Sequence, residues 1–302
     1  MSAGGSRKVI IFALAANLGI ALSKFVGAFL SQSAALLAEA IHSLVDCTNQ
    51  VLLLLGSKLS TRAPTKTHPL GYGREAFFWS FIVAILLFSL GGIFAIYEGA
   101  HKISERGELN SPWIGLGILL FGLVLETISF RSAIQEIRVQ SPNMSLWRWF
   151  RTTTSSELLV IFTEDAAAIL GLLVAALSLV ISWLTNDSRW DAGGSIAVGV
   201  LLVLVASLLA IEIKSLLVGE SPSTDYHKIV ETALRVNLKD SKILNLIAIQ
   251  TGANEVMLSC KFHPGSVSQT KRLIDSIKLT EKELKDKHPE LRWLFFEPDF
   301  YA

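Results

Sequence analysis

The sequence predicts a polytopic α-helical membrane protein with six transmembrane helices and a C-terminal cytoplasmic α+β domain. Of its 302 residues, 51% are hydrophobic and only 18% are charged, and the mean hydropathy of +0.49 is high for a soluble protein. The apolar residues are concentrated in the first part of the chain, whereas residues 220–302 have the composition of a small water-soluble domain. The predicted division is therefore a transmembrane domain at residues 1–218 and a tail domain at residues 219–302.

Six apolar runs are each long enough to cross a bilayer as a helix. A hydrocarbon core about 30 Å thick needs roughly 20 helical residues, and the continuous apolar runs lack the alternation of β-barrel strands. Few residues precede the first run and no small-residue cleavage site follows it, so we expect a retained helix and not a signal peptide. The six runs are Val9–Leu30, Ala34–Leu55, Ala76–Tyr97, Trp113–Phe130, Leu158–Leu184 and Ala192–Ile213.

The basic residues predict the orientation, because Lys and Arg concentrate on the cytoplasmic side of membrane helices. With the N-terminus inside, eleven basic residues of the transmembrane domain lie inside and three outside. We therefore expect both termini to be cytoplasmic. The eleven are Arg7, Lys8, Lys58, Arg62, Lys66, Arg74, Arg131, Arg138, Arg148, Arg151 and Lys214, and the three are Lys102, Arg106 and Arg189.

The tail has the pattern α-β-β-α-β. Three strands and two helices in about eighty residues would form a small two-layer α+β domain. A core of this size is thin for a domain that stands alone, so packing against a second copy is expected to stabilise it. The predicted elements are residues 223–236 (helix), 243–251 and 255–262 (strands), 268–287 (helix) and 291–297 (strand).

Composition excludes several functions. The 27 basic and 26 acidic residues give a net charge of +1, so we expect no nucleic-acid partner. The two cysteines, Cys47 and Cys260, form neither a CxxC motif nor a disulfide framework, which disfavours redox chemistry. No HExxH or comparable motif is present, so we do not expect an enzyme. Hydrolysis by a metal-activated water is the weakest alternative.

Ionisable side chains inside the predicted spans are the strongest functional signal. Each costs at least about 2.5 to 3.5 kcal/mol to insert, so each is a functional-site hypothesis. In the second span, Glu39, His42 and Asp46 are three and four residues apart, which places them along one helix face. In the fifth span, Glu164 and Asp165 precede three alanines and a glycine, whose small side chains allow another helix to approach.

This residue set has the chemistry of a divalent-cation site. Imidazole and carboxylate groups bind Zn²⁺, and Asp46 together with Asp165 would balance its charge. The same groups bind protons, so metal and protons would compete for them. Alternatively, these residues hydrogen-bond between helices or line a water-filled crevice. Glu39 is as well suited to a vestibule or structural role as to ligation, and Lys24 is expected to be a snorkelling cation or an ion-pair partner.

Four sequence motifs carry a family resemblance. SAALLAEAIHSLVD at residues 33–46 and HPLGYGRE at residues 68–75 resemble the signature of the cation diffusion facilitator family. EDAAAILG at residues 164–171 and SLLVGES at residues 215–221 resemble its zinc transporter 9-like branch. The resemblance implies a six-helix, homodimeric transporter that exchanges cytoplasmic Zn²⁺ or a related metal for protons. It also implies a metallochaperone-like cytoplasmic domain, with the metal as substrate and no cofactor.

The resemblance assigns the metal ligands residue by residue. The two family ligands of the second helix correspond to His42 and Asp46, and the second ligand of the fifth helix corresponds to Asp165. The remaining ligand position holds Ile161, which cannot bind a metal. Glu164 is the obvious substitute, but neighbouring residues on an ideal helix point about 100° apart, so it would need a bulge or a long reach. Otherwise water fills this position, or Glu164 accepts a proton beside the metal.

The accessory metal sites of the family are not expected here. In the loop after the second span, His68 matches one ligand, but Thr65 and Tyr72 replace two others, so His68 with Pro69 is expected to shape the loop. In the tail, Phe295 replaces a common histidine. The remaining histidines, His101, His227, His263 and His288, are expected to be surface groups.

The sequence thus favours a proton-coupled zinc exporter that works by alternating access. Mn²⁺, Co²⁺, Ni²⁺ and Fe²⁺ accept the same ligands, so transport of another divalent metal is an alternative. A membrane metal sensor or scaffold without turnover is a second alternative, which the incomplete ligand set favours. The near-absent N-terminal extension favours a bacterial inner membrane.

Overall fold

The computed structural model describes residues 18–104, 112–253, 255–266 and 269–300. The chain divides into two compact units. One unit contains the residues up to Gly56 together with Phe78–Arg151 and Ser156–Ile213, and the other contains Ser57–Phe77, Thr152–Ser155 and the residues from Lys214 onward. The unit that holds the tail therefore also includes two segments from earlier in the chain.

The part of the chain before the tail is helical wherever the structure shows regular elements. Four helical segments are long and apolar enough to cross a membrane, namely Glu75–Ile103, Pro112–Gln140, Ser156–Thr185 and Arg189–Val218. The chain is therefore a multi-pass helical membrane protein. The helices are α1 (Leu18–Ser31), α2 (Ala34–Ser60), α3 (Glu75–Leu86), α4 (Phe94–Ser104), α5 (Pro112–Gln140), α6 (Leu146–Thr152), α7 (Ser156–Thr185) and α8 (Arg189–Val218).

The first two predicted spans differ from these four. Helix α2 is 27 residues long, or about 40 Å, but the polar residues in its middle set it apart from the four apolar helices. Helix α1 is apolar but begins at Leu18 in the described part of the chain, and the predicted segment 9–17 lies outside the described residues. The count of six spans stays a prediction.

A π-helical turn, Leu87–Ile93, joins α3 to α4 within the third span, where the apolar pattern predicts an uninterrupted helix. Gly92 lies in this turn, where an added Cβ would come within 2.7 Å of Val203 Cγ2 on α8. A π-turn changes the direction of the side chains that follow it, and the glycine lets the two helices approach closely.

Helix α5 extends beyond the predicted span. We predicted an end at Phe130, but the helix continues to Gln140, because no glycine or proline interrupts residues 131–140. It ends just before Ser141, which precedes Pro142 and is therefore disfavoured in a helix. The apolar run predicted the segment within the bilayer and not the whole helix.

The N-terminus of α2 is capped twice. Ser33 Oγ accepts a hydrogen bond from the Leu36 amide at 3.1 Å, as an N-cap residue does. Asp191, at the start of α8, accepts hydrogen bonds from Ser33 Oγ and from the Ala34 amide, both at 2.6 Å. A carboxylate at this position also interacts favourably with the helix dipole. These contacts fix one end of the helix that carries the polar stripe.

The tail contains α9 (Tyr226–Asn237), β1 (Lys242–Gly252), β2 (Glu255–His263), α10 (Thr270–Lys287) and β3 (Leu291–Pro298) in this order. Strand β2 pairs antiparallel with β1 and parallel with β3, and α10 supplies the crossover that a parallel pair requires. One face of the sheet packs on the two helices, with Val230, Leu258, Cys260, Phe262 and Leu284 in the core.

Candidate metal site

The polar stripe of α2 faces the protein interior. Glu39, His42 and Asn49 are fully buried, and the side chain of Asp46 is 17% exposed. The spacing of three, four and three residues places all four side chains on one face of the helix. The spacing in the sequence predicted a shared helix face for Glu39, His42 and Asp46, and the structure agrees.

Within the described part of the chain, His42 and Asp46 present buried polar atoms that lack hydrogen-bond partners. His42 Nε2 lies 3.6 Å from Asp46 Oδ2, which is too long for a hydrogen bond. Within the described residues, both ring nitrogens of His42 and Oδ1 of Asp46 are buried and have no hydrogen-bond partner. Buried polar atoms are normally paired, so each unpaired one requires an explanation. Imidazole nitrogens and carboxylate oxygens are also the donors that Zn²⁺ prefers.

The two acidic residues of α7 point toward different helices. Glu164 is 6% exposed, and its Oε1 accepts a hydrogen bond from Asn49 Nδ2 on α2 at 2.5 Å. Asp165 Oδ2 instead accepts a hydrogen bond from Ser129 Oγ on α5 at 2.8 Å. Helix α7 is a continuous α-helix at this point, so Glu164 contacts α2 without the bulge that we considered.

The four predicted ligands therefore border one interior region without forming a single ligand shell. The charge of Asp46 lies within electrostatic range of both Glu164 and Asp165. Within the described residues, however, no three His, Cys, Asp or Glu side chains are close enough together to hold one ion. The structure brings Glu164 to α2, keeps His42 beside Asp46 and turns Asp165 toward α5.

Lys24 of α1 is buried in the same region. It is fully inaccessible to solvent, and its Nζ donates a hydrogen bond to Ser43 Oγ at 2.6 Å and lies 3.5 Å from Glu39 Oε2. Lys24 is thus an ion-pair partner, and the alternative of a snorkelling cation is wrong. Two glycines make room for the pair, because a Cβ at Gly122 would contact the Lys24 side chain and one at Gly171 would collide with the Glu39 carboxylate.

Glu126 on α5 is a carboxylate in the same buried region that we did not predict from the sequence. This residue is four positions after Gly122, which packs against Lys24, and three before Ser129, which bonds Asp165. The three positions share one helix face, so Glu126 lies between Lys24 and Asp165. Its charge is within electrostatic range of both Asp46 and His42. The sequence did contain a signal for Glu126, because it is an ionisable residue inside the predicted fourth span and such residues are functional-site hypotheses.

The residues at the positions of the family's accessory sites, which we did not expect to bind metal, contact one another or are exposed. Thr65 Oγ1 accepts a hydrogen bond from the His68 amide at 3.1 Å and lies 3.3 Å from the Tyr72 hydroxyl, and the rings of His68 and Tyr72 are 4.5 Å apart. This loop is exposed. In the tail, Phe295 is also exposed.

The four remaining histidines are only partly as expected. His101 and His227 are exposed, whereas His263 and His288 are half-buried. His288 Nδ1 lies 3.2 Å from Glu290 Oε1, and His263 Nδ1 accepts a hydrogen bond from the Gly265 amide at 3.1 Å. The last two are therefore not simple surface groups.

Known proteins resemble this chain over most of its length. Residues 10–218 match the cation efflux transmembrane domain. The chain is 31% identical to metal tolerance protein C4 of Arabidopsis thaliana over 243 residues. This alignment covers 78% of this chain and 52% of that protein. It is 31% identical over 219 residues to the human mitochondrial proton-coupled zinc antiporter SLC30A9, which covers 72% of this chain and 39% of that protein.

A more distant relative is mitochondrial metal transporter 2 of Saccharomyces cerevisiae, at 25% identity over 240 residues, with 70% of this chain and 46% of that protein covered. The chain thus spans about half or less of the length of these relatives. The matched domain includes α2, α5 and α7, which carry the buried polar groups described above. With the match over residues 10–218, the chain belongs to the cation diffusion facilitator family, in its zinc transporter 9-like branch.

Proposed function

We propose that this protein is a secondary transporter that moves Zn²⁺ out of the cytoplasm in exchange for protons. The observation that carries the proposal is the pair His42 and Asp46, whose buried nitrogen and oxygen atoms lack partners within the described residues. They lie on the buried polar face of α2, between Glu39 and Asn49. The human relative is named a proton-coupled zinc antiporter, which supports the same reaction for this chain.

The proposed ligands have distinct roles. His42 and Asp46 bind the metal from α2, and Asp165 completes the set from α7 when its hydrogen bond to Ser129 is exchanged for the metal. Glu164 occupies the side of α7 that faces α2, where Asn49 bonds it. We propose that it supplies the ligand that Ile161 cannot, or accepts a proton beside the metal.

Proton coupling follows from the same groups. A metal binds only the neutral imidazole and the ionised carboxylates, so it competes directly with protons. On the proton-rich side, protonation of His42 and of the carboxylates weakens metal binding and promotes release. On the other side, loss of those protons restores the site. Alternating access lets one set of residues serve both ions.

The proposal also covers the membrane topology, oligomeric state and location of the chain. We propose six spans, cytoplasmic termini and a homodimer, with residues 219–302 as a cytoplasmic domain of metallochaperone-like fold. We also propose a bacterial inner membrane as the location. Cysteine cross-linking and accessibility labelling on both sides of the membrane test the dimer and the orientation.

Transport into vesicles tests the main proposal. The purified full-length chain is placed in liposomes with an acidic lumen, and Zn²⁺ accumulation is measured with a fluorescent indicator. We expect uptake by the wild type, loss in Asp46→Asn and Asp165→Asn, and normal uptake in Glu136→Gln. Glu136 is the matched control, because it is an exposed carboxylate on α5 that pairs with Gln140. Uptake that persists in both site variants would refute the proposal.

Another divalent metal is the second candidate. Two relatives are named as a metal tolerance protein and a metal transporter, and those names do not specify zinc. Competition by Mn²⁺, Co²⁺, Ni²⁺ or Fe²⁺ in the same assay identifies the preferred ion. Metal binding that depends on Asp46 but occurs without flux would instead indicate a sensor.

A further inference from the structure

The buried Lys24 raises a question that the proposed ligands do not answer. A fully buried ammonium requires compensation of its charge, yet its only carboxylate neighbour by ion-pair distance, within the described residues, is Glu39 at 3.5 Å. The contact is long for a charge-assisted hydrogen bond. Glu39 Oε1 has no hydrogen-bond partner within the described residues. The pair is therefore only partly satisfied.

The ammonium lies close to the proposed metal ligands. Its hydrogen-bond partner Ser43 follows His42 directly and lies three residues before Asp46, on the same face of α2. The charge of Lys24 is within electrostatic range of both His42 and Asp46. A positive charge at this place repels a cation that binds to them, and the repulsion is strong in a dry interior.

We propose that Lys24 is a tethered counter-cation that weakens divalent-metal binding at His42 and Asp46 and thereby permits release. The inference rests on the proposed function and adds a residue that sets the affinity. A transport site must bind its ion strongly enough to load it and weakly enough to let it leave. The Lys24 ammonium, bonded to Ser43 beside His42, weakens metal binding enough to allow release. Glu39 limits this effect because its carboxylate offsets part of the positive charge.

This role and a purely structural role predict opposite changes. If Lys24 only holds α1 against α2, removing it loosens the site and weakens metal binding. If Lys24 is a counter-cation, removing it leaves the Glu39 carboxylate uncompensated beside the ligands and strengthens metal binding. The direction of the change in Kd therefore separates the two roles.

The test measures Zn²⁺ binding to the purified full-length chain at neutral pH by competition with a fluorescent chelator. We expect Lys24→Gln to lower the Kd at least about tenfold, Glu39→Gln to raise it by a similar factor, and the double variant to return to within about threefold of the wild type. Lys102→Gln is the matched control. It removes a positive charge from α4, where Lys102 bonds the Gln32 carbonyl oxygen, and it should leave the Kd unchanged.

One further variant keeps the outcomes distinct. The Zn²⁺ affinity of Asp46→Asn tests the proposed function. If the metal bound elsewhere, the wild type and this variant would have the same Kd, and that result would overturn both proposals. Zinc binding that requires Asp46 but is unchanged or weaker in Lys24→Gln would overturn the counter-cation alone. If Lys24→Gln does not fold, Glu39→Gln and the double variant decide the question, since equal Kd values for these two would also overturn it.

Discussion

Asn49 on α2 donates a hydrogen bond to Glu164 on α7 at 2.5 Å, and both side chains are buried. This contact joins the two helices that carry the proposed metal ligands. Among the described residues, Asn49 is the donor that the structure shows for the Glu164 carboxylate, and an unsatisfied polar group in a dry interior is costly. The bond also explains which of the two acidic residues on α7 faces α2.

Replacing Asn49 should loosen the junction between α2 and α7. We expect Asn49→Ala to destabilise the protein by about 1 to 3 kcal/mol and to reduce zinc uptake, because Glu164 loses its donor. Thermal unfolding in detergent and vesicle uptake measure the two effects. Gln50→Ala changes the next residue, which points about 100° away, and should change neither. Equal stability of the two variants would contradict the assigned role of Asn49.

Gly171 lies against the Glu39 carboxylate, and we predict that replacing it with alanine destabilises the protein. A Cβ added at Gly171 would collide with Glu39 Oε1. A Cβ added at Gly117 would have open space, with no neighbouring atom of the described residues within 4 Å apart from its own helix backbone and chain neighbours. We expect Gly171→Ala to lower the unfolding temperature and the transport rate, and Gly117→Ala to be neutral or slightly stabilising. The prediction fails if the two variants behave alike.

Removal of the Asp191 carboxylate should destabilise the start of α2. Asp191→Ala removes the acceptor of the Ser33 hydroxyl and of the Ala34 amide. Loss of a helix cap costs about 0.5 to 2 kcal/mol, so the unfolding temperature should fall by a few degrees. Asp187→Ala, in the preceding loop, is a suitable comparison because it removes a carboxylate that accepts a hydrogen bond from the nearby Arg189 amide. A larger effect at Asp187 than at Asp191 would contradict the prediction.

Cys260 is predicted to resist alkylation in the folded protein. Burial raises the pKa of its thiol to about 12, and the thiolate is the reactive species. At pH 8 the thiol therefore stays protonated as well as inaccessible. Mass spectrometry after treatment with N-ethylmaleimide should show Cys260 unmodified in the native protein and modified in denaturant. Rapid labelling of the native protein would show that the tail core opens readily.

Periodicity in the sequence predicted the features that depend on one helix alone. The apolar runs located the helices, and the spacing of Glu39, His42 and Asp46 placed them on one face. Features that depend on two helices were not predictable in this way. The π-turn lies where Gly92 meets Val203, and the different partners of Glu164 and Asp165 follow from which helices flank α7. Glu126 was missed for another reason, because it was not recognised as an ionisable residue within the fourth span.

The double cap at the start of α2 anchors that end of the helix, so any tilt of α2 would turn about it. Asp191 ties the first turn of α2 to α8, while the helix continues for 27 residues. If α2 tilts by about 10° around this point, its far end moves by roughly 7 Å, but His42, about 12 Å from the pivot, moves by only about 2 Å. In such a motion α2 would act as a lever, because a large displacement at Ser60 would accompany a much smaller one at His42, a proposed metal ligand.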